Sequence, residues 1–323
     1  MEKRFDVLGI GCTAVDDLVY VDQYPPRDAK IPVRRRERQC GGLTGTALVA
    51  AARLGAKCAY AGALGHDELS EFVAQRLVAE GICLDYLRRQ AGVSPVHSLI
   101  VVDDRYHTRN VFYDLTGAIY VDCGWPAEDV VRDSRVLFVD HLGVERMIEA
   151  ARVARAAGIG VVADFEADAG PPFQELMGLI DHLVLSEDFA QAWTGCDNPV
   201  EAAQILWKAD RETVVVTCGR QGCWYIGRDA PGQPRFQPAF RVREVDTTGC
   251  GDVFHGAYAA ALARGWGVPA RIEYAAATAA LKATRPGGQA GIPTHAMVES
   301  FLAERKSDAE RQVGAAEDDC GGA

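Results

Sequence analysis

Apolar and polar positions alternate differently in the two halves of the chain. Residues 5–11 form a short apolar run closed by glycine, the pattern of a buried strand. Residues 18–21 lead into Tyr24-Pro25-Pro26, an extended segment and a turn. Residues 30–38 set Ile31 and Val33 among basic side chains, which predicts a solvent-facing edge strand. The Arg34-Arg35-Arg36 run suits such an edge, because charge discourages edge-to-edge pairing. An Ala-rich helix is predicted over 44–54, opened by Gly41-Gly42 and stopped at Gly55. A strand at 57–63 and an amphipathic helix at 67–80 follow, the helix with Leu69, Phe72, Val73, Leu77 and Val78 on one face. Residues 96–102 and 109–113 read as a hairpin around Asp103-Asp104-Arg105.

From about residue 135 the rhythm becomes regular. Strands at 136–139, 159–163, 182–185 and 213–217 alternate with helices at 144–157 and 199–209. Helices near 251–263, 269–282 and 294–305 complete the pattern. Strands alternating with helices predict an α/β fold with a mostly parallel sheet covered on both faces. The segments at about 12–40 and 96–118 fall outside that rhythm and predict a small β-sheet lid over the sheet's C-terminal edge. The expected organisation is one domain over 1–306 with the lid segments inserted, then a polar, disordered tail over 307–323.

Composition narrows the function classes. The 323 residues are 48% hydrophobic and carry a net charge of −11, which speaks against nucleic-acid partners and against anionic membranes. No apolar stretch approaches the roughly 20 residues of a membrane span. The charged start is followed by no signal-peptide core. Ten scattered cysteines without CxxC pairs predict reduced thiols and a cytoplasmic location.

The stretch that carries chemistry is Asp246-Thr247-Thr248-Gly249-Cys250-Gly251-Asp252, running into Val253-Phe254-His255-Gly256-Ala257. A Gly-x-Gly turn entering a helix aims free backbone N–H groups at one point, where the helix dipole also favours negative charge. Asp252 falls in the first helical turn, beside that anion site. A carboxylate there is useful if it accepts a proton from an attacking hydroxyl. The bland alternative is an ordinary capped helix.

The whole seven-residue string resembles the second signature of the PfkB (ribokinase-like) carbohydrate kinases, D-T-x-G-A-G-D, with Cys250 in place of the alanine. Gly41-Gly42 resembles the family's first signature, and Asp16 its N-terminal sugar-binding Asp. Thr217-Cys218-Gly219-Arg220-Gln221-Gly222 is similar to the strand and turn beside the nucleotide, and Arg285-Pro286-Gly287-Gly288 with Ile292-Pro293 to the segment closing the adenine pocket. The resemblance implies a ribokinase-like Rossmann-type three-layer α/β/α core with a β lid, ATP with Mg2+, and, in many members, K+ near the anion hole. It also implies a homodimer joined through the lid.

Under this resemblance Asp252 is the base, and Gly249, Cys250 and Gly251 form the anion hole. Asp16, Asp28, Lys30, Gly41, Gly42, Thr46, Arg109 and Tyr113 face the sugar. Ser186, Thr217, Gly219, Gly222, Thr248, Gly251 and Gly288 face the nucleotide. Magnesium is held mainly by the ATP phosphates, with Glu187 a candidate for its shell.

Within the family, Ala50-Ala51-Ala52-Arg53-Leu54-Gly55-Ala56 and Asp252-Val253-Phe254-His255-Gly256-Ala257 resemble the sulfofructose kinase type. Leu142 replaces the Arg expected to read a sulfonate, however, and Tyr113 an Asn. Asp16 and Asp28 are similar to the two sugar-binding carboxylates of ketohexokinases, whereas Leu43 and Thr46 replace sugar-reading Asn residues. Ser186-Glu187-Asp188-Phe189 departs from the family's Asn-x-x-Glu. A sugar kinase is the leading reading. A nucleoside kinase of the same fold and a PfkB-like protein that binds without catalysis are the alternatives.

Two decoys remain. Gly9-Ile10-Gly11-Cys12-Thr13-Ala14 fits a dinucleotide fingerprint, but a strand-like segment follows it where that motif requires a helix. His66, His97, His107, His141 and His255 show no metal-ligand spacing.

Overall fold

The computed structural model describes residues 3–106, 108–118 and 125–320, with side chains to residue 307; His107 and the last three tail residues lie outside the described residues. The N-terminal elements are β1 (Phe5–Ile10), β2 (Ala14–Val21), β3 (Arg35–Gly41), α1 (Leu43–Arg53), β4 (Cys58–Tyr60), β5 (Ala63–Leu64), α2 (Glu68–Ala79), β6 (Arg88–Arg89), β7 (Val96–Asp103) and β8 (Thr108–Asp114). The alternating region holds α3 (Glu128–Arg132), β9 (Ser134–Val139), α4 (Val144–Ala156), β10 (Gly160–Phe165), α5 (Phe173–Leu179), β11 (His182–Ser186), α6 (Glu187–Thr194), α7 (Pro199–Leu206) and β12 (Thr213–Thr217). The chain ends with β13 (Gly222–Gly227), β14 (Arg235–Pro238), α8 (Cys250–Ala263), α9 (Val268–Ala283) and α10 (His295–Cys320).

The central sheet has the order β14-β13-β12-β11-β10-β9-β1-β4. From β12 to β4 all neighbours are parallel, while β13 and β14 add an antiparallel edge. The inner strands read as unbroken apolar runs because both faces are buried. Val136, Val162, Val184 and Val215 pack beneath α1, α8 and α9. Their chain neighbours Leu137, Val161, Leu183 and Val214 point the other way, toward α4, α5 and α7. The result is the expected three-layer α/β/α core.

A second sheet, β3-β2-β7-β8, draws its strands from the two stretches outside the alternation. Its central pair β2–β7 is parallel and both flanking pairs are antiparallel. Among the described residues, no helix is long and apolar enough to cross a membrane.

Local boundaries differ from the sequence pattern where backbone pairing decides them. The edge strand expected at 30–38 lies at Arg35–Gly41, because pairing with β2 runs only from Arg35–Tyr20 to Gly41–Ala14. Before it, Asp28 takes a left-handed φ of 59° and Pro32 offers no N–H to a ladder. The strand expected at 57–63 divides into β4 and β5. The Val78 position of α2 is 60% exposed, so the buried face is narrower than its periodicity suggests. The helices α5 and α6 are two turns or so each, too short to give a helical period. The last helix, expected at 294–305, runs His295–Cys320.

Helix α8 lies against α1 with small residues at the crossing. A Cβ added at Gly256 would sit 2.2 Å from the Ala47 carbonyl oxygen and 2.8 Å from Ala50 Cβ. A valine there must push the helices apart. Gly256→Val is expected to cost about 1–3 kcal/mol or more and to lower the melting temperature by about 3–10 °C. An unchanged melting temperature in thermal unfolding would contradict this account of the contact.

Candidate active site

The loop 246–249 is held before α8 begins. Asp246 accepts the Thr248 N–H on Oδ1 and the Gly287 N–H on Oδ2, each at 2.8 Å. Its carbonyl accepts the Lys282 ammonium at 2.9 Å. Gly249 caps α8 in the left-handed region, φ 73°. The Cys250 N–H turns back to the Thr247 carbonyl at 3.1 Å. The Cys250 backbone donor is thus engaged inside the turn, and the residue lines the cleft. Among the described residues, the Gly249 and Gly251 N–H groups have no hydrogen-bond acceptor. These two remain open at the positive end of a 14-residue helix.

Asp252 stands in the first turn of α8. Burial pushes its carboxyl well up, and the nearby Asp164 and Glu166 add to the rise, with His255 opposing. Asp164, at the C-terminal end of β10, is also pushed up, by burial and then by Glu166 and Asp140. Asp140 follows β9 and is fully buried. It accepts from the Cys12 N–H at 2.6 Å, the Thr44 hydroxyl at 2.8 Å and the Leu142 N–H at 2.8 Å. It thereby ties the loop after β1 and the head of α1 to the end of β9. The sequence reading missed Asp140, Asp164 and Glu166. The available signal was an acid at the C-terminal end of each of two predicted inner strands, the edge where open α/β sheets bind ligands.

On one side of this helix mouth lies a cleft of about 410 Å³. Thr217, Gly219 and Gly222 line it together with Thr247, Cys250 and Gly251, and Phe240, Phe254 and Ala279 supply apolar wall. Gly288 stands beside Gly249, its carbonyl oxygen 3.3 Å from where a Cβ on Gly249 would be. Its N–H donates to Gln39 Oε1 of β3 at 3.1 Å. Ser186 caps α6, accepting the Phe189 N–H at 3.2 Å. One Glu187 oxygen accepts from Gln191 at 3.3 Å. Among the described residues no group of three or more His, Cys, Asp and Glu side chains could hold a metal ion.

On the other side lies the root of the second sheet. Gly42 has a left-handed φ of 86°, and a Cβ there would stand 2.6 Å from Thr13 Cα, so the turn from β3 into α1 requires glycine. A Cβ on Gly41 would be 2.6 Å from Asp16 Oδ2, which puts the Asp16 carboxylate against this turn. Burial pushes the Asp16 carboxyl up, against the pull of Ser98, His97 and Arg109. The Thr46 hydroxyl accepts from Gln289 Nε2 at 3.3 Å, and its methyl group faces Gly249. Arg109, on β8, reaches across to donate to the Thr248 hydroxyl. Tyr113, on the same strand, is 68% exposed. Asp28 and Lys30 are exposed in the loop between β2 and β3, and among the described residues neither is bonded to the Asp252 neighbourhood. His141 is half-buried, its Nδ1 accepting the Glu166 N–H at 3.4 Å.

An open helix start thus faces the cleft on one side, and Asp16 with the Gly41-Gly42 turn lies at the root of the second sheet on the other. The model of the pfkB family carbohydrate kinases matches residues 7–295, so the chain belongs to that family. The ribokinase of Haemophilus influenzae is 26% identical, with 94% of this chain and 99% of the relative covered. The deoxyribokinase of Salmonella typhi is 26% identical over 92% of this chain and 98% of its own. The structure of Arabidopsis thaliana ribokinase complexed with ribose and ATP superposes with a TM-score of 0.82 at 22% identity, covering 94% and 99% of the two chains. The chain is thus a sugar kinase with the ribokinase fold.

Asp246 offers a direct test of how the loop is held. Burial pushes its carboxyl up, but the Thr248 and Gly287 donors and Lys282 outweigh that and hold it below the ordinary 3.8. A depressed folded value means its stabilisation is full above 3.8 and is lost as pH falls through the lower folded value. Asp246→Asn is expected to cost about 1–3 kcal/mol near neutral pH. In denaturant titrations the gap to the parent protein should persist from about pH 7 to about pH 5 and narrow only at more acid pH. A gap that closes above pH 5 contradicts the assignment.

Proposed function

We propose that this kinase transfers the γ-phosphoryl group of ATP to a hydroxyl of a small sugar or sugar derivative, with Asp252 as the base. The observation that carries this reading is Asp252 in the first turn of α8 beside the open Gly249 and Gly251 N–H groups, with the cleft on one side and Arg109 linking Thr248 of that loop to Asp16 on the other.

ATP lies with its base in the cleft of Thr217, Gly219 and Gly222 and its phosphates toward Gly249 and Gly251. Asp16 binds sugar hydroxyls at the Gly41-Gly42 turn. Asp252 takes the proton of the acceptor hydroxyl as its oxygen attacks phosphorus in line and the bond to the ADP oxygen breaks. The open N–H groups stabilise charge on the moving phosphoryl group. Arg109 supports the same region from the lid, since its bond to Thr248 joins β8 to the anion-binding loop. Lid closure keeps water from competing as acceptor.

Magnesium bound to the phosphates would neutralise their charge. Glu187, at the head of α6, is the protein side chain proposed for its shell. Potassium fits less well, because the Asp246 carbonyl beside the loop already takes the Lys282 ammonium. The exposed pair Leu99 and Phe112, direct partners across β7 and β8, suits a homodimer joined through the lid. Leu142 stands where a sulfonate-reading Arg is expected, so a sulfonated sugar is not carried over as the acceptor.

Asp252→Asn is expected to keep the fold and to cut turnover by roughly 10²–10⁴-fold in an ADP-release assay against a panel of sugars and nucleosides. Near-parental turnover with the best substrate removes Asp252 as the base, and a preference for nucleosides replaces the sugar reading. Arg109→Met should lower kcat/KM by about 10–100-fold, the loss of one charge-assisted hydrogen bond. An unchanged kcat/KM would leave Arg109 a surface charge only.

A further inference from the structure

His255 follows Asp252 by three residues on α8, and its ring is buried. Nδ1 lies 2.8 Å from the Gly251 carbonyl oxygen and Nε2 lies 3.0 Å from the Val184 carbonyl oxygen. A carbonyl oxygen can only accept, so each nitrogen has a reason to carry a proton. Flipping the ring brings no relief, because it would set carbons against both carbonyls. Asp164 Oδ2 lies 3.2 Å from Nδ1 yet makes no hydrogen bond, which leaves it as the counter-charge beside the ring. The rings of Phe138 and Phe254 stand edge-on to the imidazole and help to fix its plane.

We propose that His255 is a positioning residue for phosphoryl transfer: protonated on both ring nitrogens, it pairs with the Asp164 carboxylate and clamps the first turn of α8 to the end of β10 and the middle of β11. The proposal rests on the reading of Asp252 as the base. Through the Gly251 carbonyl the clamp holds the peptide unit next to Asp252, and through Val184 it refers that unit to the sheet.

Burial opposes an ionised Asp164, so the geometry of the ring has to outweigh it. Burial, Glu166 and Asp140 all push Asp164 toward the neutral acid. The cation facing it is this ring. A neutral ring with a protonated Asp164 would have the same net charge, but one ring nitrogen would then turn a lone pair toward a carbonyl, Nδ1 toward Gly251 at 2.8 Å or Nε2 toward Val184 at 3.0 Å. The other titratable groups around Asp252 are Glu166 beyond β10, Cys250 on α8, Lys282 on α9 and Cys12 after β1. Lys282 is bonded to the Asp246 carbonyl on the loop before α8.

The first experiment reads the ring in the intact protein. Ring 15N NMR of the labelled chain, with His255→Asn used to assign the signal, should show both nitrogens of His255 protonated across the pH range of activity. A signal from a neutral ring with one bare nitrogen overturns the proposal. The second reads Asp252 through kcat/KM against pH. If Asp164 is ionised, Asp164→Asn removes a repulsion and moves the acid limb to lower pH by about half a unit or more, about threefold in rate on the limb. An unmoved limb means that Asp164 was already neutral and also overturns the proposal. If Asp252→Asn proves fully active, the base assignment fails while the ring spectrum still decides the pair.

Discussion

Backbone N–H groups at the start of α8 can serve an anion only while nothing else in the protein uses them, and much of the surrounding structure maintains that condition. Gly249 turns the chain in the left-handed region so that the helix begins without a side-chain cap. Asp246 holds the loop from both sides, on Thr248 and on Gly287, and so leaves the later donors unclaimed. Cys250 alone closes onto the turn. Gly256 lets α8 lie against α1 closely enough to keep the helix start at the sheet edge.

The second constraint is electrostatic. Asp140, Asp164 and Asp252 gather at the C-terminal edge of a parallel sheet, where burial penalises the charges of Asp164 and Asp252 and exposed Glu166 adds to the repulsion. Each is handled differently. Asp140 is absorbed by three donors. Asp164 faces His255. Asp252 is left raised, the condition of a group able to take up a proton in the course of a reaction. The second sheet meets this edge through Arg109 and Gln39, which bond to Thr248 and to the Gly288 N–H.

Much of this was legible in the residues. The buried strands announce themselves as apolar runs because the sheet is covered on both faces, and the string from Asp246 to Asp252 combines a turn, a helix start and an acid that few other chemistries need. The edge of the fold was less legible. β14 is an antiparallel addition with half-exposed residues and lacks the continuous apolar signature of the inner strands, whereas β13 carries an apolar run at 223–226 that was not assigned to a strand. The start of β3 depends on where Tyr20 finds its partner, which no local pattern records.

The substrate side divides in the same way. Gly42 and Asp16 could be named from the chain, because a turn with no room for a side chain and a carboxylate beside it have local marks. The engagement of Thr46 by Gln289, 243 residues away, could not. Nor could the meeting of Asp164 with His255, since each is unremarkable in its own segment and acquires a role only when β10 and α8 are packed together. The sequence by itself determined the fold class, the phosphoryl-transfer motif and the position of its carboxylate, because these depend on short-range backbone geometry. Tertiary structure alone decided which donors stay free, which acids are compensated and which polar groups face the acceptor, because those outcomes depend on contacts between segments far apart in the chain.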